Sequence, residues 1–579
     1  MARHLITSAL PYINGVKHLG NLVGSMLPAD VSARYLRAGG HEVLAICATD
    51  EHGTPAELGA LSEGMDVAEY CARHHDTQRE LGERFGLSWD WFGRTSAPQN
   101  HELTAHFARR LRDEGYTDIR TTAQVYSLAD GRFLPDRYVE GTCPNCGYER
   151  ARGDQCENCG KQLEPTELID PRSAVSGSTE LEVRDSAHVF LAQSQLAEGI
   201  RAWVDSKEGW PQLTRSIAYK WLDEGLEDRG ITRDLSWGIP VDPDDFPEAA
   251  GKVWYVWFDA PIGYISATRE WADAGRGGDD PDAAFDRWWR RDSGAADVTY
   301  TQFMGKDNVP FHTLSFPATI IGSAEDWVLV DRLKSFNWLT YYGGKFSTSQ
   351  GRGVFMSDAL DLVPADCWRW YLMANAPESD DSSFTWELFG EAVNKDLVGT
   401  FGNFVNRTAS QVSRHFGDEV PAGGDDEEPE AELWRRVEHR LGEYTEAMDA
   451  LQFRRATAAL RALWAEGNLY LEQREPWKTV KVDRDRTACT LRNALQVALV
   501  DAVAAAPFVP EASGRLLDAF GGLGGAKLLL DASLPGAARD AVGAGDPFTG
   551  PGLLFSKLDD DQLTQWADQF GGEQGATGG

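Results

Sequence analysis

Four cysteines stand at Cys143, Cys146, Cys156 and Cys159, in the spacing C-x2-C-x9-C-x2-C. Pro144, Gly147 and Gly160 supply turn residues around them. Two such knuckles suit closure on one tetrahedral Zn2+. Four thiolates leave no open coordination position, so the expected metal is structural and not catalytic. The other cysteines, Cys47, Cys71, Cys367 and Cys489, are scattered. A clustered set in a reducing compartment reads as a metal site, not as a disulfide framework.

A second group is His18-Leu19-Gly20-Asn21, placed after a strand-like segment and at a helix start. A helix N-terminus offers free N–H groups and a positive dipole end, both suited to phosphate. Glycine permits close approach of a ligand to the backbone. Histidine and asparagine can donate to phosphate oxygens. A third group is the segment from Gly343 to Gly351, with Lys345, Ser347 and Thr348. One lysine among hydroxyls fits a triphosphate that gains charge during transfer.

The elements that carry these groups follow from hydrophobic period. Residues 4–10 are strand-like and end at Pro11. A helix runs from the HLGN segment to about Arg37, Gly39-Gly40 stops it, and Glu42–Ala48 reads as a buried strand. In such a βαβ unit, ligands sit beyond the carboxyl ends of parallel strands, where HLGN and Asp50 both fall. Residues 55–115 read as helical, and 117–240 as short strands and turns inserted between two halves of a sheet. The α/β pattern returns with strands expected at Val253–Phe258, Val298–Met304 and Trp327–Val330. Beyond about residue 385 the period is helical, interrupted by the acidic Gly/Pro stretch 417–430, expected to be a solvated linker.

The chain of 579 residues exceeds one hydrophobic core, and 42 % hydrophobic content can furnish several. Its longest apolar runs, such as Ala502–Val509, fall short of a bilayer span, and the N-terminus has no signal-peptide pattern. A cytoplasmic protein is expected. The net charge of −34 disfavours wholesale nucleic-acid binding, so such a partner needs a local basic patch. Arg435, Arg436, Arg440, Arg454, Arg455 and Arg461 cluster closely enough to be one.

The order strand–HLGN–helix, cysteine-bearing insertion, KFSTS loop and helical C-terminal part resembles a class I aminoacyl-tRNA synthetase, with its HIGH and KMSKS motifs. The segments ITSALPYINGVKHLGN, ICATDEHGTP, FLPDRYVEGTCPNC, YVWFDAPIGY and GKDNVPFH resemble the methionyl-tRNA synthetase family. The resemblance runs from about residue 3 to 510. It implies a Rossmann-type parallel sheet split by a zinc-bearing insertion and followed by an α-helical anticodon-binding bundle. It also implies activation of L-methionine with ATP and transfer to tRNA(Met), the initiator included, with Mg2+ accompanying ATP.

By that resemblance, Asp50 binds the amino group of methionine. Leu10, Tyr12, Val256, Trp257, Ala260, Pro261, Tyr264 and His312 form the side-chain pocket. His18, Gly20, Asn21, Lys345, Ser347 and Thr348 handle ATP, and His18, Asn21, Lys345 and Thr348 take part in catalysis. Asn403, Arg407 and Trp477 contact the anticodon. The implied division is a first catalytic half (1–116), the insertion (117–240), a second half (241–325) and a stem-contact region (326–390). The helical domain (391–510), a C-terminal segment (511–570) and a disordered tail (571–579) follow. No appended dimerising module is evident, so a monomer is expected.

Two positions depart from the family pattern. Asn21 replaces a second histidine, and Thr348 replaces the second lysine of KMSKS. Loss of one such cation would cost about 3 kcal/mol of transition-state stabilisation without compensation. Arg352 is the nearby candidate to compensate; otherwise the enzyme is slow or a specialised paralogue. For the function, the alternatives are a weakened tRNA-binding paralogue or another class I synthetase.

Overall fold

The computed structural model describes residues 2–153, 156, 158–159, 161, 163–346, 352–521, 523 and 527–571. Its centre is a five-stranded sheet: β1 (Arg3–Ser8), β2 (Glu42–Thr49), β3 (Trp91–Arg94), β4 (Val298–Gly305) and β5 (Arg332–Phe336), in the order β5-β4-β1-β2-β3. Every pairing is parallel. The chain builds outward from β1 through β2 to β3, then returns to the other side of β1 with β4. That reversal opens a crevice beyond the carboxyl ends of β1, β2 and β4, where open α/β sheets bind ligands.

Between the halves, the long strands Thr117–Ser127 and Leu181–Leu191 pair antiparallel along their length. The cysteines sit beside a small sheet of Ala151–Arg152, Val139–Thr142 and Ile169–Ser173. The C-terminal part packs Asn403–Phe416, Glu428–Asp449, Phe453–Arg474 and Arg484–Ala505. The last of these helices is long and apolar enough to cross a membrane, but 94 % of that window is buried within the bundle core.

The halves are tied by Arg369, fully buried on the helix Ala365–Ala374. It donates to the Asp30 carboxylate at 2.6 Å and to the carbonyls of Pro507 at 2.7 Å and Phe508 at 3.0 Å. A buried guanidinium needs these acceptors, so the sheet domain and the bundle are held in one register.

Several expectations are corrected. Trp91–Arg94 is a strand within a stretch read as helical. Four residues are too few for a period to be legible. The insertion has two 11-residue strands, not only short ones. Val253–Phe258 is strand only at Val253–Trp254; the helix Val256–Asp273 takes over, with Pro261 inside it. The strand expected at Trp327–Val330 lies at Arg332–Phe336, while Trp327 and Val328 are buried in a connecting segment. Burial alone does not separate a core loop from a strand.

The stretch 417–430 is bonded to the bundle and not freely solvated. Arg492 donates to the carbonyls of Pro421, Gly423 and Gly424, and Asn493 donates to Asp426. Within 571–579, only Gly571 is among the described residues.

Candidate active site

The HLGN segment follows β1 and starts the helix Leu19–Asn21. His18 caps it: Nδ1 accepts the backbone N–H groups of Gly20 at 3.1 Å and Asn21 at 3.4 Å. Asn21 Oδ1 accepts the His18 N–H at 3.3 Å, completing a capping box. A Cβ at position 20 would meet His18 Cε1 at 2.9 Å, so glycine is what lets the ring fold back. With Nδ1 accepting, the neutral ring carries its proton on Nε2. Burial, reinforced by Lys17, pushes the His18 pKa down to about 4, so the ring is neutral at pH 7.

The His18 ring lies on Phe346, centroids 4.6 Å apart and planes 11° from parallel. Phe346 follows Lys345, which is exposed and has no ion-pair partner among the described residues. Ser347 and Thr348 lie outside the described residues. Arg352, expected to compensate for Thr348, donates to the Tyr341 carbonyl at 2.9 Å and packs under Gly344.

Asp50 directly follows β2 and forms an isolated parallel bridge with Tyr12, four residues beyond β1. It is 5 % exposed, and its Oδ1 has no hydrogen-bond partner among the described residues. Burial raises its pKa well above the carboxylate range, and the charges of Asp259 and Glu51 raise it further. Lys17 and the His52 N–H oppose that rise. Lys17 therefore stands within electrostatic reach of both Asp50 and His18. Its ammonium donates to Asn14 Oδ1 at 3.2 Å, and burial pushes its pKa down to about 8.

Asp259 is also buried with a free Oδ1, while its Oδ2 pairs with His52 Nδ1. The Tyr12 hydroxyl donates to the His52 carbonyl. Both carboxylate oxygens of buried Glu51 accept from Arg94, at 2.9 and 3.0 Å.

The expected pocket residues converge. Tyr264 donates to His312 Nε2 at 2.8 Å, since His312 Nδ1–H is taken by the Asn308 carbonyl at 2.9 Å. Burial pushes the His312 pKa down to about 4, keeping this tautomer neutral. Leu10 abuts Gly263, and Val256 abuts Gly53, beside the Tyr12 hydroxyl. Ala260 and Pro261 are buried on the helix Val256–Asp273. Trp257 stacks on Phe311, centroids 3.7 Å apart. Lys17, His52, Asp259 and Phe311 were missed by sequence reasoning. All four lie inside the segments ITSALPYINGVKHLGN, ICATDEHGTP, YVWFDAPIGY and GKDNVPFH, so motif membership was the available signal.

The sulfurs of Cys143, Cys146, Cys156 and Cys159 all lie within 4.8 Å of one another, with Cys146–Cys156 at 3.6 Å and Cys143–Cys159 at 3.9 Å. A tetrahedron with Zn–S bonds of about 2.3 Å has edges near 3.8 Å, so the donor set fits Zn2+. Gly160 lies outside the described residues.

In the bundle, Asn403 and Arg407 meet on Asn468 Oδ1, at 3.1 and 3.4 Å. Arg407 lies 5.1 Å from the Trp477 ring centre. The three expected residues thus form one partly exposed cluster, with Asn468 as an additional member. The arginine group of 435–461 is not a free basic patch. Five of its six members, Arg435, Arg436, Arg440, Arg455 and Arg461, pair with carboxylates, and Arg454 alone of the six has no ion pair among the described residues.

Residues 4–409 match the family model described as tRNA synthetases class I (M), and 420–575 match that of the anticodon binding domain of methionyl tRNA ligase. A methionine--tRNA ligase of Caulobacter vibrioides (strain NA1000 / CB15N) is 57 % identical, covering 99 % of this chain and 100 % of its own. One of Streptomyces avermitilis is likewise 57 % identical over 99 % of this chain and 100 % of its own. Among solved structures, Mycobacterium tuberculosis methionyl-tRNA synthetase in complex with methionyl-adenylate superposes with a TM-score of 0.75 at 24 % identity. It covers 96 % of this chain and 100 % of the other, a likeness that speaks to the fold.

Proposed function

From the premise that this chain belongs to the class I tRNA synthetase (M) family, we propose how its residues divide the work of a methionine–tRNA ligase. The enzyme joins methionine to ATP and then passes the methionyl group to tRNA. In the first step a methionine carboxylate oxygen attacks the α-phosphorus, and diphosphate leaves with the bond electrons. In the second a terminal ribose hydroxyl of tRNA attacks the activated carbonyl, and AMP leaves.

The carboxylate of methionine is the nucleophile, so positioning and charge stabilisation are what the protein must supply. Asp50 takes the methionine ammonium. Its buried, unpartnered Oδ1 is the observation that carries this reading, because a buried carboxylate without a cation is costly and a bound ammonium relieves that cost. Leu10, Tyr12, Val256, Trp257, Ala260, Pro261, Tyr264 and His312 enclose the thioether. Aromatic faces suit its sulfur.

His18 donates through Nε2–H to a phosphate of ATP, while Gly20 and Asn21 supply the helix start beneath it. Lys345, Ser347 and Thr348 close over the triphosphate, and Mg2+ accompanies it. One Zn2+ on the four cysteines braces the insertion. Asn403, Arg407 and Trp477 read unstacked anticodon bases of tRNA(Met), initiator included. The chain acts in the cytoplasm as a monomer.

Methionine-dependent ATP–diphosphate exchange is the direct test. Exchange with methionine well above that with cysteine, leucine or valine is expected. No methionine-dependent exchange, or a better rate with another amino acid, defeats the reading.

A further inference from the structure

An unpartnered carboxylate oxygen cannot aim itself, and Asp50 Oδ1 has no partner among the described residues. The aim comes from the chain around it. The Asp50 N–H donates to the Pro11 carbonyl at 3.0 Å, and the Asp50 carbonyl accepts the Ile13 N–H at 2.9 Å. The next residue, Glu51, is fully buried and bonded at every polar atom. Its N–H donates to Thr95 Oγ1 at 2.9 Å, and its carbonyl accepts the Trp237 indole N–H at 2.6 Å. Oε1 accepts from Thr49 at 2.7 Å and from Arg94 at 2.9 Å. Oε2 accepts from Arg94 at 3.0 Å and from Ser96 at 2.5 Å. Arg94 ends β3 beside Thr49, the last residue of β2.

Space-filling does not call for such a pair. A buried ion pair is often no more stabilising than apolar side chains of similar volume. It also brings a liability: burial raises the Asp50 pKa, and the charges of Asp259 and Glu51 raise it further. Arg94 is the cation that pairs with Glu51 and offsets its charge. The other titratable groups around Glu51 do not. His75 lies 3.9 Å from Oε1, but burial pushes its pKa down to about 4. Burial pushes the Cys71 thiol up to about 12. Glu270 accepts the Arg94 N–H at 3.2 Å, and burial pushes its carboxyl up to about 7. Around Asp50 itself stand Lys17, Asp259 and the phenols of Tyr12 and Tyr264, which burial holds neutral.

We propose that Arg94 and Glu51 are positioning residues for methionine: they hold the Asp50 backbone and balance the charge beside it, so that its carboxylate meets the ammonium aimed and ionised. Both act through Asp50. The inference rests on the function proposed above.

The test is the pH profile of 1/KM for methionine in ATP–diphosphate exchange, with the full chain. Its rising limb follows ionisation of Asp50, and Asp50→Asn should lose it. Arg94→Gln leaves the Glu51 charge unbalanced, so the limb should move up by about one pH unit. Below the limb that shift is about a tenfold higher KM. Glu51→Gln removes the charge, so the limb should move down. The double variant, neutral at both positions, should return towards the wild-type limb. Arg94→Lys keeps the charge but loses the fork, and should leave the limb in place. In all of these kcat should hardly move, because a lost binding contact shows in KM.

Opposite shifts from the two halves of one ion pair do not arise from a folding defect, which damages both alike. Shifts of the same sign, or a limb that neither single variant moves, would overturn the proposal. If Arg94→Gln does not fold, Glu51→Gln decides alone, by a downward shift or its absence. A limb that survives in Asp50→Asn, or absence of exchange in the wild type, would strike the parent reading instead.

Discussion

The imidazole of His18 lies flat against the ring of Phe346, 4.6 Å between centroids. Two motifs more than 300 residues apart in sequence thus meet face to face. The contact brings Phe346, the residue after Lys345, against the HLGN helix start. Phe346→Ala should lower kcat for ATP–diphosphate exchange by up to about tenfold, from an aromatic pair worth about 0.5–1.5 kcal/mol. The methionine KM should hardly move. Equal damage to both constants would show that the ring supports the fold and not the loop position.

Asp50→Asn keeps the shape of the side chain and removes its charge. A hydrogen bond to a charged group contributes about 1.5–3 kcal/mol. The methionine KM should therefore rise roughly 10- to 100-fold, with the ATP KM little changed. Steady-state exchange at varied methionine measures it, and wild-type affinity would remove Asp50 from the amine site.

The raised pKa of Asp50 has a pH consequence of definite sign. Methionine binds the ionised carboxylate, so affinity should climb as pH rises through the Asp50 pKa. The nearby Asp259 raises that pKa and Lys17 lowers it. Asp259→Asn should move the rising limb of 1/KM to lower pH, and Lys17→Gln should move it to higher pH. Shifts in the same direction for both variants would contradict the electrostatic account.

Cys143→Ser removes one donor of the four-sulfur cluster. Zinc content should fall from about one per chain towards zero. The insertion should melt roughly 5–10 °C lower by calorimetry. Full thermal stability in a metal-free sample would refute a bracing metal.

Trp477→Ala removes the ring beneath Arg407. Exchange should survive, while kcat/KM for tRNA in aminoacylation should drop about tenfold, within the range for loss of one stacked base. Asn468→Ala should produce a smaller loss of the same kind, since Asn468 orients Asn403 and Arg407. Loss of exchange in either variant would indicate a folding defect.

Some of this protein was decided by local sequence alone. The four cysteines needed only their spacing, because two tight turns bring neighbouring sulfurs together whatever surrounds them. Gly20, two residues after His18, likewise leaves room for the local cap. The succession of strand, helix and strand from Arg3 to Thr49 was legible from period, which depends on near neighbours.

Tertiary structure decided the rest, because it concerns contacts between residues far apart in the chain. Nothing in the spacing of Asp50 and Asp259 says that the charge of Asp259 raises the Asp50 pKa, or that each keeps an unpartnered oxygen. Nor could composition reveal that five of the six clustered arginines pair with carboxylates while Arg454 has no ion pair among the described residues. The four residues of β3 are strand because β2 offers them a ladder, a partner that no short window of sequence contains.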